Sequence, residues 1–134
     1  MTQVLGGGKQ KMDESILHTV KDVLGIDRKN YDFDRDLIPA VNAILAILYQ
    51  EGLADKYYTI RDDTKTWDDI LVKNITPEAI SFIKQWLPLR VKLIFDPPTS
   101  SALLQALKDT IAELEWRGYI TNNYVGEIGG LYGE

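Results

Sequence analysis

The apolar positions of this chain fall on helical periods over most of its length. At about 100° per residue, Ile16, Val20, Val23 and Leu24 share one face, with Asp13 in place to cap the first turn and Gly25 to end the helix. His18 projects from the opposite side, toward solvent. A second helix is predicted from near Asp36, where Pro39 still falls in the first turn and loses no helical hydrogen bond. Its stripe is Leu37, Val41, Ile44, Leu45 and Leu48, and Gly52 marks its end. Thr76-Pro77 reads as a cap followed by proline at the first helical position, opening a third helix that runs to Phe95. That helix carries two stripes: Ile80, Ile83, Leu87, Val91 and Ile94 on one side, and Phe82, Trp86, Leu89 and Leu93 roughly opposite. Pro88 lies inside it and predicts a kink. The last helix, 101–117, has the stripe Leu103, Leu104, Leu107, Ile111 and Leu114. Glu113 precedes Arg117 in the favourable order for an ion pair, and Gly118 is the predicted stop.

Between the second and third helices the pattern breaks. Residues 53–73 are polar and rich in turn formers, with one apolar patch, Tyr57-Tyr58-Thr59-Ile60, that suits a short strand. Trp67 to Leu71 suits a single helical turn. A second break is sharper: in Phe95-Asp96-Pro97-Pro98-Thr99-Ser100-Ser101 the prolines force Asp96 out of the helical region and turn the chain. Thr99, Ser100 or Ser101 then caps the next helix. The fold class expected is all-α, a bundle of about four main helices with a long polar loop and flexible termini. One domain, 13–118, is flanked by an arm, 1–12, in which no site is read, and by a Gly/Tyr-rich tail, 119–134. No internal repeat suggests a solenoid.

Composition narrows the function. The formal charge of −5 disfavours holding nucleic acid through many phosphates. Without cysteine there is no disulfide, thiolate metal site or cysteine nucleophile. No signal peptide or membrane span is read, and a soluble cytoplasmic protein is expected.

The candidate chemistry tests poorly. Asp32, Asp34 and Asp36 have the one-three-five spacing of a calcium loop, but its sixth position is Leu37 and its twelfth Ala43, so the loop fails. Asp62-Asp63 and Asp68-Asp69 offer paired carboxylates without a phosphate loop or nucleophile beside them, and solvation in a polar loop explains them better. His18 is the sole histidine, too little for a histidine metal cluster. Arg90, Lys92 and Arg117 make at most a weak basic patch. Neither a catalytic group nor a cofactor or metal site is read.

More informative is the surplus of apolar helix surface. Trp116 lies nearly opposite the stripe of its own helix, so either another chain or a folded-back loop must cover it. The second face of the 76–95 helix poses the same choice between a neighbouring chain and flanking helices of the same one. Candidate contacts to another copy or a partner are Phe82, Trp86, Leu93, Trp116, Tyr119, Tyr124 and Tyr132, with Asp96, Pro97, Pro98, Thr99 and Ser100 as a structural corner.

The corner, with Glu113-Leu114-Glu115-Trp116-Arg117, Asp36-Leu37-Ile38, Asn42, Gly52 and Thr66-Trp67-Asp68-Asp69, resembles the tailed-phage head-tail connector family over roughly residues 13–117. Such adaptors dock under the portal of a filled head. The resemblance implies a structural, non-enzymatic virion protein, made in the host cytoplasm and placed at the head-tail interface. It implies about a dozen copies in a ring on the portal, a conduit through which DNA passes without sequence-specific binding, and a platform for a later head-completion or tail protein. The tail would order on meeting the portal or a neighbouring copy. Pro88 and Gly118 depart from the family pattern, which leaves the bend of the 76–95 helix and the direction of the tail open. The competing reading is a small helical regulatory or accessory domain that binds another protein as a monomer or dimer. A hydrolase built on Asp62, Asp63, Asp68 and Asp69 is a distant third.

Overall fold

A computed structural model describes residues 14–120, with side chains through 117. Among these residues it is all-α: α1 (Ile16–Leu24), α2 (Asp34–Gln50), α3 (Trp67–Ile70), α4 (Pro77–Phe95) and α5 (Ser101–Ile120). The two stripes of α4 explain the architecture. A helix apolar on two sides must be covered twice, and α4 packs against α2 and α1 on one side and α5 on the other. Ile83, Leu87 and Val91 are buried in the main core, and Trp86 is buried as well.

Thr76 caps α4 by accepting from the Ala79 amide at 3.2 Å, with Pro77 in the first turn. Pro88 stands inside the helix and is itself buried, so the Lys84 carbonyl loses its usual amide partner while the helix continues to Phe95. Asp96 then ends it, at φ −152° and ψ 64°. After the prolines, Ser100 caps α5: its Oγ accepts from the Leu103 amide at 3.3 Å.

In α2 the predicted stripe is buried at every position, Leu37, Val41, Ile44, Leu45 and Leu48. The helix begins at Asp34, which moves Pro39 into the second turn; its side is exposed, where water can serve the unpaired carbonyl. Gly52 reverses the chain at φ 83°, a conformation costly for any residue with a Cβ.

Several expectations are corrected. The cap of α1 is Ser15, whose Oγ accepts from the His18 amide at 3.1 Å, and Asp13 lies outside the described residues. Val23 is 48% exposed, and Leu17 is buried in its place. The reason is Lys21: a fully buried lysine shares the inward face, which shifts its centre away from Val23. Tyr57 to Ile60 form no strand. The segment is instead fixed by one side chain, as Asn42 Oδ1 accepts from the Ile60 amide at 2.7 Å and Asn42 Nδ2 donates to the Ile60 carbonyl at 3.1 Å. Finally, α5 passes through Gly118 and reaches Ile120. Ile94 and Leu103, assigned to apolar stripes, are exposed near the corner, where no helix covers them.

One isolated antiparallel bridge, Ser15 with Thr66, stitches the long loop to the start of the bundle, and a second, Ala54 with Leu71, closes the loop on itself. Its anchor is Trp67, the first residue of the predicted single-turn helix. Thr19 Oγ1 accepts from Trp67 Nε1 at 3.0 Å and lies 2.9 Å from Glu14 Oε2, while Lys84 Nζ donates to Glu14 Oε1 at 2.8 Å. Partial burial opposes ionisation of Glu14, but the hydrogen bonds from Lys84 and Thr19 outweigh it and hold its carboxyl below the ordinary 4.5. A carboxylate with a depressed folded pKa stabilises the fold above its unfolded pKa, and that contribution vanishes as pH falls through the lower, folded value. Lys84→Met should therefore destabilise at neutral pH by under about 1 kcal/mol, since water screens this partly exposed pair. Denaturant melts should show the gap between variant and wild type closing below pH 4.5; a gap that persists there would mean Lys84 acts by packing.

Candidate interaction surface

α5 is held to the bundle by a narrow seam. Ile111 is its one buried side chain among residues 101–117, with Leu107 and Leu114 half-buried beside it. A polar clasp completes the seam: Glu115 Oε2 accepts from Trp86 Nε1 at 2.9 Å and from Arg90 NH1 at 2.8 Å. Phe82 stacks on Trp86 at 5.6 Å between centroids, and the Arg90 guanidinium lies over the indole at 5.7 Å. Trp86, 4% exposed, is thus covered within the chain. The flanking-helix reading accounts for it, and sequence reasoning had no signal for Glu115 as its partner.

Trp116 stands differently. It is 61% exposed, on the side of α5 away from the seam. Leu93 and Phe82 are half-buried, so each retains an accessible edge. The side chain of Tyr119, and Tyr124 and Tyr132 altogether, lie outside the described residues.

A second apolar area gathers at the corner. Phe95 meets Phe33 edge to face at 5.9 Å, which draws the α1–α2 connection to the start of the Pro-Pro turn. Tyr31, Phe33 and Ile94 are all exposed at this end of the chain. Tyr31 and Phe33 were missed because loop aromatics carry no periodicity that would distinguish a surface patch from core.

The connection itself is organised by Lys21. Its Nζ donates to the carbonyls of Asn30 at 2.9 Å and Arg28 at 3.3 Å, and the Tyr31 ring lies 4.8 Å from it. Asp34 Oδ1 is also 2.9 Å away, an ion pair without hydrogen-bond alignment, for this oxygen accepts no hydrogen bond. Two of the apolar patch's members therefore sit on a turn that a buried ammonium holds in shape.

Most of the charged groups weighed in the sequence have structural partners. Arg90 pairs with Glu115, Lys92 with Asp96 and Arg117 with Glu113, so the basic patch is internally neutralised. Asp34 faces Lys21, Asp63 pairs with His18 Nε2 at 3.0 Å, and Asp69 Oδ2 accepts the Thr66 amide at 2.8 Å. His18 is thus partnered and half-buried rather than turned to solvent. The hydroxyl and amide of Thr64 hydrogen-bond Asp62 and hold its carboxyl below the usual carboxylate range. Among the described residues no group of three or more His, Cys, Asp or Glu could hold a metal ion, and no helix is long and apolar enough to cross a membrane.

The arrangement presents apolar and aromatic contacts on α5 and at the corner. No curated protein and no solved structure matches the chain. A family model described as "Phage connector protein" matches residues 16–125, from the first turn of α1 to beyond the end of α5. With the whole helical bundle inside that match, this chain belongs to the phage connector protein family.

Proposed function

We propose that the chain is a head-tail connector that assembles as a closed ring of about a dozen copies on the tail side of the portal, giving a platform to the next head-completion or tail protein. Membership of the connector family supports the general role. The observation that carries the assembly is the exposed indole of Trp116, opposite the seam that attaches its own helix. One face of each bundle would meet a different face of its neighbour, the head-to-tail geometry that closes into a ring. Trp116, with Leu93 and the edge of Phe82, supplies one side of that contact, and the corner patch of Tyr31, Phe33 and Ile94 offers an apolar surface for portal or neighbour.

The charge distribution suits a conduit. Arg90, Lys92 and Arg117 are each matched by a carboxylate of the same chain, which leaves no basic stripe among them to grip phosphates. DNA passing such a lining is neither held nor read. The tail, with Tyr124 and Tyr132 among glycines, would anchor on the portal or a neighbouring copy during assembly.

Trp116→Glu tests the interface. An exposed position should tolerate the change within about 0.5 kcal/mol of stability, while co-sedimentation with portal-bearing heads should fall by an order of magnitude or more, as for a central aromatic contact. Undiminished co-sedimentation would remove Trp116 from the interface. Deleting residues 121–134 tests the tail in the same assay, and unchanged attachment would count against its anchoring role.

A further inference from the structure

A groove lies where the long loop meets the start of α4. Leu71, Val72, Ile75, Pro77 and Ile80 form its apolar part, and it encloses about 550 Å³. Its polar rim is Asp55, Asp68, Asp69 and Lys73, three acids against one base. Such a groove suits an occupant that combines aliphatic side chains with positive charge.

One segment of this chain has that chemistry and joins the fold beside it. Residues 1–12 contain Lys9 and Lys11, the apolar Val4, Leu5 and Met12, and no acid. The placement comes from the pairing beside α1. The Ile16 amide donates to the Lys65 carbonyl at 3.0 Å, the Trp67 amide donates to the Glu14 carbonyl at 3.3 Å, and Ser15 bridges Thr66 in antiparallel sense. In an antiparallel pair, stepping back from Ser15 steps forward from Thr66, so Glu14 stands opposite Trp67, next in sequence to Asp68 and Asp69. Lys9 is five residues before Glu14, a reach of about 17 Å in extended chain. Asp13 sets one negative charge against the two lysines.

We propose that residues 9–12 dock in cis in the groove between the long loop and α4, with Lys9 and Lys11 against the rim of Asp55 and Asp68 and Met12 on the apolar wall. Asp69 contributes charge, while its Oδ2 remains committed to the Thr66 amide and hydroxyl. Because the attraction is between groups near water, salt weakens it, and the docked arm is a releasable contact rather than part of the core. This inference is independent of the connector reading and stands or falls on a different surface.

The absence of cysteine makes the test clean. The full chain carrying Gln10→Cys is labelled with a nitroxide, and amide signals are followed by NMR in about 0.1 M and about 1 M salt, where the Debye length falls from roughly 10 Å to roughly 3 Å. The expected result is loss of the Val72, Ile75 and Ile80 signals at low salt, unchanged on dilution. Those signals should return at high salt and in the Lys9→Glu/Lys11→Glu background, with Lys9→Arg/Lys11→Arg retaining the loss. Unchanged dispersion elsewhere in the spectrum reports an intact fold in every variant. Broadening confined to the neighbourhood of Glu14 and Trp67 overturns the proposal. So does broadening that fades on dilution, which would give the groove to a second copy's arm, or broadening indifferent to salt and to charge reversal.

Discussion

Trp67→Ala should destabilise the chain by about 3–5 kcal/mol, the range for truncating a fully buried tryptophan. Against a total of roughly 5–15 kcal/mol for a domain of ordinary stability, that is enough to leave the variant partly unfolded at 37 °C. The size follows from what the indole holds. Trp67 is completely buried, and its Nε1 donates to Thr19, which in turn bears on Glu14 and through it on Lys84. Removing the ring opens a cavity and also frees the loop from α1. Trp67→Phe separates the two effects: the ring volume is largely kept, while the donated hydrogen bond is lost at a cost of about 1–2 kcal/mol. Denaturant unfolding checks both. A loss below about 1 kcal/mol for the alanine variant would mean that the loop is held chiefly by its backbone bridges.

Lys21→Met should cost a comparable amount, about 3–5 kcal/mol, because breaking a buried ion pair leaves the other charge uncompensated. Here the ammonium is fully buried against two carbonyls, the Tyr31 ring and the Asp34 carboxylate. Methionine fills most of the same space but donates nothing, which strands the Arg28 and Asn30 carbonyls as well as Asp34. The double variant Lys21→Met/Asp34→Leu should recover part of the loss, since no charge is then orphaned. A double variant as unstable as the single would place the loss in the two carbonyls instead. Either result is read from the same unfolding curves, and the single variant should also raise amide exchange across residues 26–33, the turn that carries Tyr31 and Phe33.

These two residues show what the chain made legible. Regular apolar spacing located α2 by its whole stripe, α4 by Thr76-Pro77, and the corner by its prolines, since each rests on local backbone chemistry. Trp67 was read as opening a single helical turn, yet its weight as an anchor depends on Thr19, distant in sequence. Lys21 was opaque for a stronger reason. A lysine on a helix face counts as polar, so its burial displaced the predicted stripe toward Val23, which is in fact exposed. Tyr57 to Ile60 had the composition of a strand, but its hydrogen-bonding partner is the Asn42 side chain, and no pattern announces that. Gly118 was read as a stop from its low helix propensity, which the continuing helix overrides.

The interaction surface was legible in part. Opposition to its own stripe left Trp116 to be covered by another chain or by a folded-back loop, and among the described residues it stands exposed. The same logic applied to Trp86 gave two outcomes, and only the placement of α5 decides that this indole is covered within the chain. Tyr31 and Phe33 join the corner patch through an aromatic contact across the fold, which one-dimensional spacing does not encode.

Connector function is tested most directly by adding the purified chain to DNA-filled, tailless heads and imaging the portal vertex. The account predicts an added annulus of repeated copies of this chain seated on the tail side of the portal, coaxial with the DNA channel. A vertex that stays bare at saturating protein, with the chain folded and the portal intact, would contradict it.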